Sequence, residues 1–376
     1  MGNSASASLP YSIGNVQVAN VNDGWTLHDG QQKNDGSDVS VFVAKKPTLS
    51  KTAVSSGSHF TQLQPAMHHF VNCKKLRHPH ILQVLATLDT DNPNDASMGG
   101  ASQPSAATAA SSSSSSTTAT TGDLIIVTEK CIPLDVWLQQ RPAPEEVAWG
   151  LEAMVRALTF LHTSASLCHA CVTPSSFYVT PSGDVKLWNF CLTSNITTNP
   201  PGQGITTYFR DYESLVTPQA YRSPERQEGR WDVIATTATS TGVHGLDSFS
   251  LGVLFQHVFT QLGSGLPPPL VKAVQRLQTP NLRMRPRLQP LLKCPIFDTT
   301  YQKLQLQLQE FPVQSVEDKT AFWQNLTPSM QAGLIPQNLA VYKLLAIMKS
   351  SIQTVCESDS LRTQEPYRRE GTNSIS

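Results

Sequence analysis

The sequence predicts an α+β protein in two parts, with strands first and helices second. Three observations carry this expectation. Before Pro144 the chain holds short alternating apolar segments bounded by turn residues. After it, apolar residues recur three and four positions apart. Between two of the strand-like segments lies "GGASQPSAATAASSSSSSTTATTG", residues 99–122, which lacks the apolar content to fold alone. Segregated strands and helices, rather than alternating ones, argue for α+β layering.

Taken in order, residues 1–24 contain no Lys or Arg and read as a flexible tail. "WTLHDGQQ" and "VSVFV" read as two strands joined by a turn at Asn34-Asp35-Gly36. "HFTQLQPAMHHFVNCKKLR", residues 59–77, reads as a helix, with His68-His69 as a pair on its surface. "HPHILQVLATLD" and "DLIIVTEKC" read as further strands, with residues 91–122 a disordered insertion between them. From Pro144, the residues Val147, Leu151, Met154, Val155, Leu158 and Leu161 share one helical face. Short strands are expected at "FYVT" and "VKLWNF", and a Thr-rich loop from Thr193 to Thr217. A later helix carries Leu251, Leu254, Phe255 and Val258 on one side.

Composition excludes several function classes. Of 376 residues, 28 are Lys or Arg and 28 are Asp or Glu, so the formal charge is zero and no nucleic-acid partner is expected. Seven cysteines, without framework spacing, fit free thiols in a reducing compartment. Cys168 and Cys171 form a single C-x-x-C with no second pair nearby, so neither a metal nor another cofactor is expected. No apolar run is long enough to span a bilayer. A cytoplasmic protein is expected, bound to a membrane only through a lipid or a partner.

Six phrases then stand in a telling order: "LRHPHIL", "LIIVTE", "LTFLH", "YRSPER", "DSFSLGVL" and "MRPRLQPLL". Together they resemble a protein kinase over residues 25–297, which implies a bilobal protein-kinase-like fold. Phosphoryl transfer needs a strand Lys on the phosphates, a Glu to pair with it, an Asp base, and an Asn and an Asp on magnesium. Matched residue by residue, Phe42 stands where the Lys would be and His69 where the Glu would be. In "HACVTPSS", Cys171 replaces the base, Thr173 the loop Lys and Ser176 the metal-binding Asn. In "NFC", Asn189 replaces the metal-binding Asp, and of the glycine-rich loop Gly30 alone is retained. A positioned general base is worth about 10²–10⁴-fold in rate. These losses need not multiply, since such residues act as a unit. All point the same way, to an inactive site.

The residues that the resemblance assigns to structure are present. Glu225 in "SPE" and Arg285 in "MRPR" stand at the positions of a buried ion pair. Asp247 stands where a kinase Asp opens a long helix and holds the catalytic-loop backbone. His169 and Phe190 keep the apolar-spine positions. The chain therefore retains what the fold needs and lacks what the reaction needs. Three readings compete with an inactive scaffold. Cys171 could act as a nucleophile with His169 as base. Lys45 or Lys46 could replace the missing Lys in a weakly active Ser/Thr kinase. The same displaced Lys could serve an ATP-binding switch.

Two features narrow the resemblance. "MGNSAS" fits the N-myristoylation pattern on Gly2. Past Phe297, "SVEDKTAFWQNL" and "IPQNLAVYKLLAIMKSSI" continue as helices over residues 298–352, before a polar tail at 353–376. Phe322, Trp323 and Leu326 mark one apolar stripe, and Leu339, Tyr342, Leu345 and Met348 the next. An inactive kinase domain running into HEAT-type helices is similar to the Scy-like pseudokinases, with the branch that associates with the C-terminal domain of ezrin nearest. That resemblance implies scaffolding in membrane traffic around the Golgi and its coat proteins, or contact with cytoskeletal linker proteins at the cell cortex. It implies reversible membrane association through the myristoyl group. It also implies that this chain could be a shortened form of a longer protein.

Overall fold

In the computed structural model, the described residues are 9–18, 24–45, 63–91, 97–98, 122–195, 203–240, 244–331 and 335–350. The chain divides into two units, residues 1–180 with 184–298, and residues 181–183 with 299–376. Gly2, Lys46, the tract 99–121 and the tail 353–376 lie outside the described residues.

The first unit begins with a six-stranded sheet. Its strands are β1 (Tyr11–Val18), β2 (Trp25–Gln32), β3 (Asp38–Lys45), β4 (Val84–Asp89), β5 (Ser97–Met98) and β6 (Asp123–Glu129). They are ordered β1-β2-β3-β6-β4-β5, every neighbouring pair antiparallel. The β2–β3 turn closes as its residues require: Asp35 Oδ1 accepts the Ser37 N–H at 2.9 Å, and Gly36 takes φ +72°. Helix α1 (Leu63–Cys73) lies between β3 and β4 in the chain. Both faces of the sheet are covered. Phe42 and Ala44 pack with Leu27, Leu124 and Ile126 in the main core, while Val39 and Val41 join Tyr11, Ile125 and Val127 in a second cluster. The period of two sends adjacent side chains to opposite faces.

Two expectations for this region are corrected. Residues 1–24 are not all tail, because Tyr11–Val18 pairs with β2 along most of its length. The register shifts twice in this pairing, and the irregularity blurs the alternation that marks a strand. Residues 91–122 are not all disordered, because Ser97–Met98 pairs with β4.

The rest of the first unit is mainly helical. After the short β7 (Ile132–Pro133) come α2 (Leu134–Gln139) and α3 (Pro144–Thr163). Pro144 sits at the first helical position and Glu146 accepts the Ala143 N–H at 2.9 Å, which sets the start of α3. All six apolar residues expected on its face are buried. At Gly150 a Cβ would come 2.7 Å from the Val185 side chain, so glycine allows the close approach of α3 to the strand behind it. Next come β8 (Leu167–Cys168), β9 (Phe177–Val179), β10 (Val185–Leu187) and β11 (Ser194–Asn195). They are followed by α4 (Gln203–Val216), α5 (Pro224–Gln227), α6 (Trp231–Ser240), α7 (His244–Gln261) and α8 (Pro268–Leu277). The expected loop from Thr193 to Thr217 is corrected in part, since 203–216 form α4. Its Thr-rich start hides an amphipathic second half in which Glu213 and Val216 are buried.

The second unit contains α9 (Thr300–Glu310), α10 (Val316–Gln331) and a last helical run that begins at α11 (Gln337–Leu339). Phe311, Phe322 and Trp323 pack edge to face with centroids 5.2–5.6 Å apart. Lys343 Nζ donates to Gln305 Oε1 at 2.5 Å. The last stripe differs from the expected one. Leu339 and Leu344 are buried, whereas Tyr342, Leu345 and Met348 are exposed. The cause is local: Ala340–Leu344 is a π-helical turn, and its i→i+5 spacing replaces the 3.6 period on which the stripe was drawn.

Candidate functional site

The inner face of β3, helix α1 and the segment 168–191 meet in the first unit where a kinase would hold its nucleotide. Phe42 lies fully buried in this place, with 0% exposure. Its ring meets Tyr178 edge to face at 5.2 Å and lies tilted on Trp188 at 5.0 Å. Neither aromatic neighbour was singled out from the sequence. Tyr178 follows the loop on β9 and Trp188 immediately precedes Asn189, so a sequence scan meets them as ordinary strand residues.

His69 is also fully buried, which corrects its reading as one of a surface pair. It contacts Trp188 edge to face at 4.4 Å and Trp25 at 5.4 Å. Its Nδ1 accepts the Phe190 N–H at 3.0 Å. The neighbouring His68, half-buried, donates from Nδ1 to the Phe190 carbonyl at 3.2 Å. Two consecutive histidines on α1 thus hold both backbone groups of one residue. Where the resemblance expects a Lys–Glu pair, this chain joins α1 to the loop through neutral imidazoles. Burial, with the charges of His169 and His68 adding to it, drives the His69 pKa down to about 3.

The loop residues are turned inward. His169 Nε2 donates to the Trp188 carbonyl at 2.9 Å, and its Nδ1 accepts the Cys171 N–H at 3.2 Å. Both ring nitrogens are engaged, so His169 cannot serve as a base for the Cys171 thiol. That thiol is buried, with the Val216 carbonyl at 3.7 Å, the Thr217 hydroxyl at 3.6 Å and the Asn189 amide at 3.9 Å. Ser176 donates to the Cys171 carbonyl and lies 3.2 Å from the Thr173 hydroxyl. Asn189 takes φ +61°, a left-handed conformation that asparagine tolerates better than most residues. Its side-chain oxygen, Oδ1, is buried without a hydrogen-bond partner among the described residues.

Two further candidates are displaced. Gly30 lies within β2, not in a loop, and a Cβ there would come 2.7 Å from Val41 and 2.8 Å from the Ser12 carbonyl. It is a packing glycine. Lys45 ends β3 and is exposed; by alternation it shares the outer face of the sheet with Val41 and Val43, opposite Phe42. It cannot reach into the space that Phe42 fills.

The fold family implies a nucleotide with magnesium, and these residues do not fit it. Phe42 offers nothing to a phosphate, and Asn189 and Ser176 carry no charge for a metal. Among the described residues no group of three or more His, Cys, Asp or Glu could hold a metal ion.

Below the cleft, charge is retained and paired. Asp247 is fully buried; its carboxylate accepts the His169 N–H at 2.8 Å, the Ala170 N–H at 2.7 Å and His162 Nε2 at 2.8 Å. Burial pushes its pKa up, but the hydrogen bond and charge of His162, together with the charge and backbone N–H of His169, more than offset this and hold it at about 2. Glu225 and Arg285 form a buried bidentate pair, 2.7 Å at both contacts. Arg285 also donates to the carbonyls of Thr279, Gly245 and Pro280. A second buried pair joins Arg226 to Glu213, and Arg226 donates to the Ala170 carbonyl at 2.7 Å. This pair was missed because Glu213 lies in the segment read as loop. Ala170 itself has φ +63°, a conformation that costs a non-glycine residue about 1–2 kcal/mol. Asp247 and Arg226 hold it there from both sides.

Comparison with known proteins follows the same division. No protein-family model matches the chain. A Dictyostelium discoideum protein described as probable inactive serine/threonine-protein kinase scy1 is 25% identical over 356 residues, covering 91% of this chain and 37% of that protein. The chain is thus similar along most of its length to a protein described as a probable inactive kinase. A mouse protein described as associating with the carboxyl-terminal domain of ezrin is 22% identical over 339 residues, covering 89% of this chain and 38% of its own length. A Schizosaccharomyces pombe protein kinase domain-containing protein, ppk32, is 24% identical over 63% of this chain and 30% of its own length. This chain thus spans between 30% and 38% of the length of these curated relatives. The crystal structure of Cex1p shares the fold with a TM-score of 0.62 at 16% identity, covering 98% of this chain and 58% of that one. Among the described residues no helix is long and apolar enough to cross a membrane.

Proposed function

We propose that this pseudokinase is a scaffold that joins protein partners in intracellular membrane traffic or at the cortical cytoskeleton. The observation that carries the reading is Phe42, buried between Tyr178 and Trp188 where a catalytic site would need a cation. A cleft filled by side chains has a fixed shape without a ligand, which suits a protein that presents surfaces rather than turning over a substrate. The partner class is drawn from the relative described as associating with the C-terminal domain of ezrin. In this reading Gly2 carries a myristoyl group that gives reversible membrane contact. One such chain anchors only marginally, and no basic residue precedes Lys33. The second unit is read as the start of a HEAT-like helical region. Glu225, Arg285, Asp247, His169 and Phe190 are read as the residues that keep the scaffold folded.

The test is proximity labelling from a C-terminal fusion of the full chain, compared with Gly2→Ala. The scaffold reading expects coat, vesicle or cortical proteins among the labelled neighbours, and loss of the membrane-borne ones in Gly2→Ala. Labelling no richer than that of a free cytosolic fusion would reject it. The rival kinase reading is tested by γ-labelled ATP with generic substrates. Incorporation that survives Cys171→Ala and disappears with Lys45→Ala and Lys46→Ala would establish it.

A further inference from the structure

The zero net charge of the chain conceals a segregation. No Asp or Glu stands between Asp247 and Asp298, while Lys272, Arg276, Arg283, Arg285, Arg287 and Lys293 all do. Arg285 is neutralised by Glu225 inside the fold. Four of the remaining five, Lys272, Arg276, Arg287 and Lys293, line one cavity of about 360 Å³ between α8 and the segment that follows it. No carboxylate lines this cavity, and among the described residues none of the four is in an ion pair within salt-bridge distance of Asp or Glu.

We propose that this cavity binds a small, multiply phosphorylated ligand, either free or as the head group of a phosphoinositide. The site lies apart from the filled cleft, and the proposal does not depend on the scaffold reading.

Like charges gathered on one surface repel each other, and a polyanion relieves that cost where a neutral ligand cannot. Arg276 in the last turn of α8 is favourable to that helix end, but the helix accounts for neither Lys272, earlier in α8, nor Arg287 and Lys293 on the facing segment. Arg offers a planar fork suited to phosphate oxygens, and Lys a mobile point charge, so a mixed set can grip several phosphates at once. The walls are also rigid. Pro269, Pro286, Pro290 and Pro295 fix the backbone there, and the Cys294 thiol donates to the Pro269 carbonyl at 3.6 Å. The four cations are exposed on this fixed backbone and so are open to a ligand from solvent. The volume lies within the range of small-molecule sites.

The experiment uses the full chain with two probes. Inositol hexakisphosphate is titrated calorimetrically. Phosphatidylcholine vesicles, with and without phosphatidylinositol bisphosphate, are tested by flotation. Saturable binding of the soluble probe is expected, weakening as salt rises. The double variant Arg276→Gln, Arg287→Gln should bind at least about tenfold more weakly, as expected for two lost charge-assisted contacts. Arg283→Gln, which removes an exposed cation outside the cavity lining, should bind as the parent does. All three proteins should melt alike without ligand; if the double variant does not, Lys272→Gln with Lys293→Gln replaces it. Flotation that the soluble probe competes away assigns the lipid source, and calorimetric binding without flotation assigns the free one. No binding of either probe would overturn the proposal. So would an equal loss in Arg283→Gln, or flotation indifferent to both the competitor and the cavity variants.

Discussion

The cleft and the helical region beneath it treat charge in opposite ways. In the cleft, the positions that the resemblance matches to a kinase's Lys, Glu and Asp hold Phe42, His69 and Asn189, all buried and neutral. Beneath it, Asp247, Glu225, Arg285, Glu213 and Arg226 remain charged, buried and paired. Physical cost explains the difference. A charge that serves a bound nucleotide is an unpaired burden without one, so replacing it with packed aromatic surface stabilises the free protein. A charge that holds backbone in place cannot leave alone, because its partner would be stranded in the interior.

The largest expected effect comes from breaking a pair below the cleft. Arg285→Ala leaves the Glu225 carboxylate buried without its ion partner, and should cost about 3–5 kcal/mol, enough to abolish soluble expression or lower the melting temperature by many degrees. A melting curve that matches the parent would remove the contrast. Within the cleft, Phe42→Ala should cost a similar or slightly smaller amount, about 3–5 kcal/mol less any collapse of Tyr178 and Trp188 into the space. Phe42→Lys should destabilise further still without creating phosphotransfer, because His69 offers no charge to the new ammonium. A Phe42→Lys variant as stable as the parent would mean that the cleft is wetter than described.

A smaller effect is graded by pH. His69 is held neutral in the fold, with a pKa of about 3 against an ordinary value near 6.5. Its folded pKa is depressed, so its contribution is complete above pH 6.5 and falls as the pH drops toward 3. Between these limits the unfolded chain binds a proton that the folded one refuses, costing about 1.4 kcal/mol per pH unit. His80, also near 3, adds in the same direction. Urea unfolding from pH 7 to pH 5 should therefore show a flatter slope for His69→Phe than for the parent. Equal slopes would place His69 in water. The smallest effect belongs to Lys45→Ala, on the outer face of β3, which should change stability by less than about 0.5 kcal/mol and leave nucleotide response unaltered.

What the sequence disclosed follows the range of the interactions involved. Strands β2 and β3 and helix α3 were legible because alternation or the 3.6 period runs through them, and β6 because its short apolar run, Leu124 to Val127, is bounded by polar residues. The degenerate positions were legible because they fall inside short phrases of fixed spacing. His69 was misplaced because its partner, Phe190, lies 121 residues away, and nothing near His69 signals burial. Tyr178 and Trp188 were overlooked for the same reason, since their importance lies in meeting Phe42 from another part of the chain. The cation-lined cavity was hidden by an average: equal totals of acid and base said nothing about where each is placed. The last helix was misread in its stripe because one π-helical turn moves the buried residue from a spacing of three or four to five.

The central claim is that side chains already occupy the nucleotide cleft. Calorimetric titration of the full chain with ATP, with and without Mg²⁺, tests it most directly, with Phe42→Ala as the companion. We predict no saturable Mg²⁺-dependent heat in the parent and none restored by opening the space, because the metal ligands and phosphate cation are absent as well. Saturable, Mg²⁺-dependent binding to the parent that Phe42→Ala leaves intact would contradict the account.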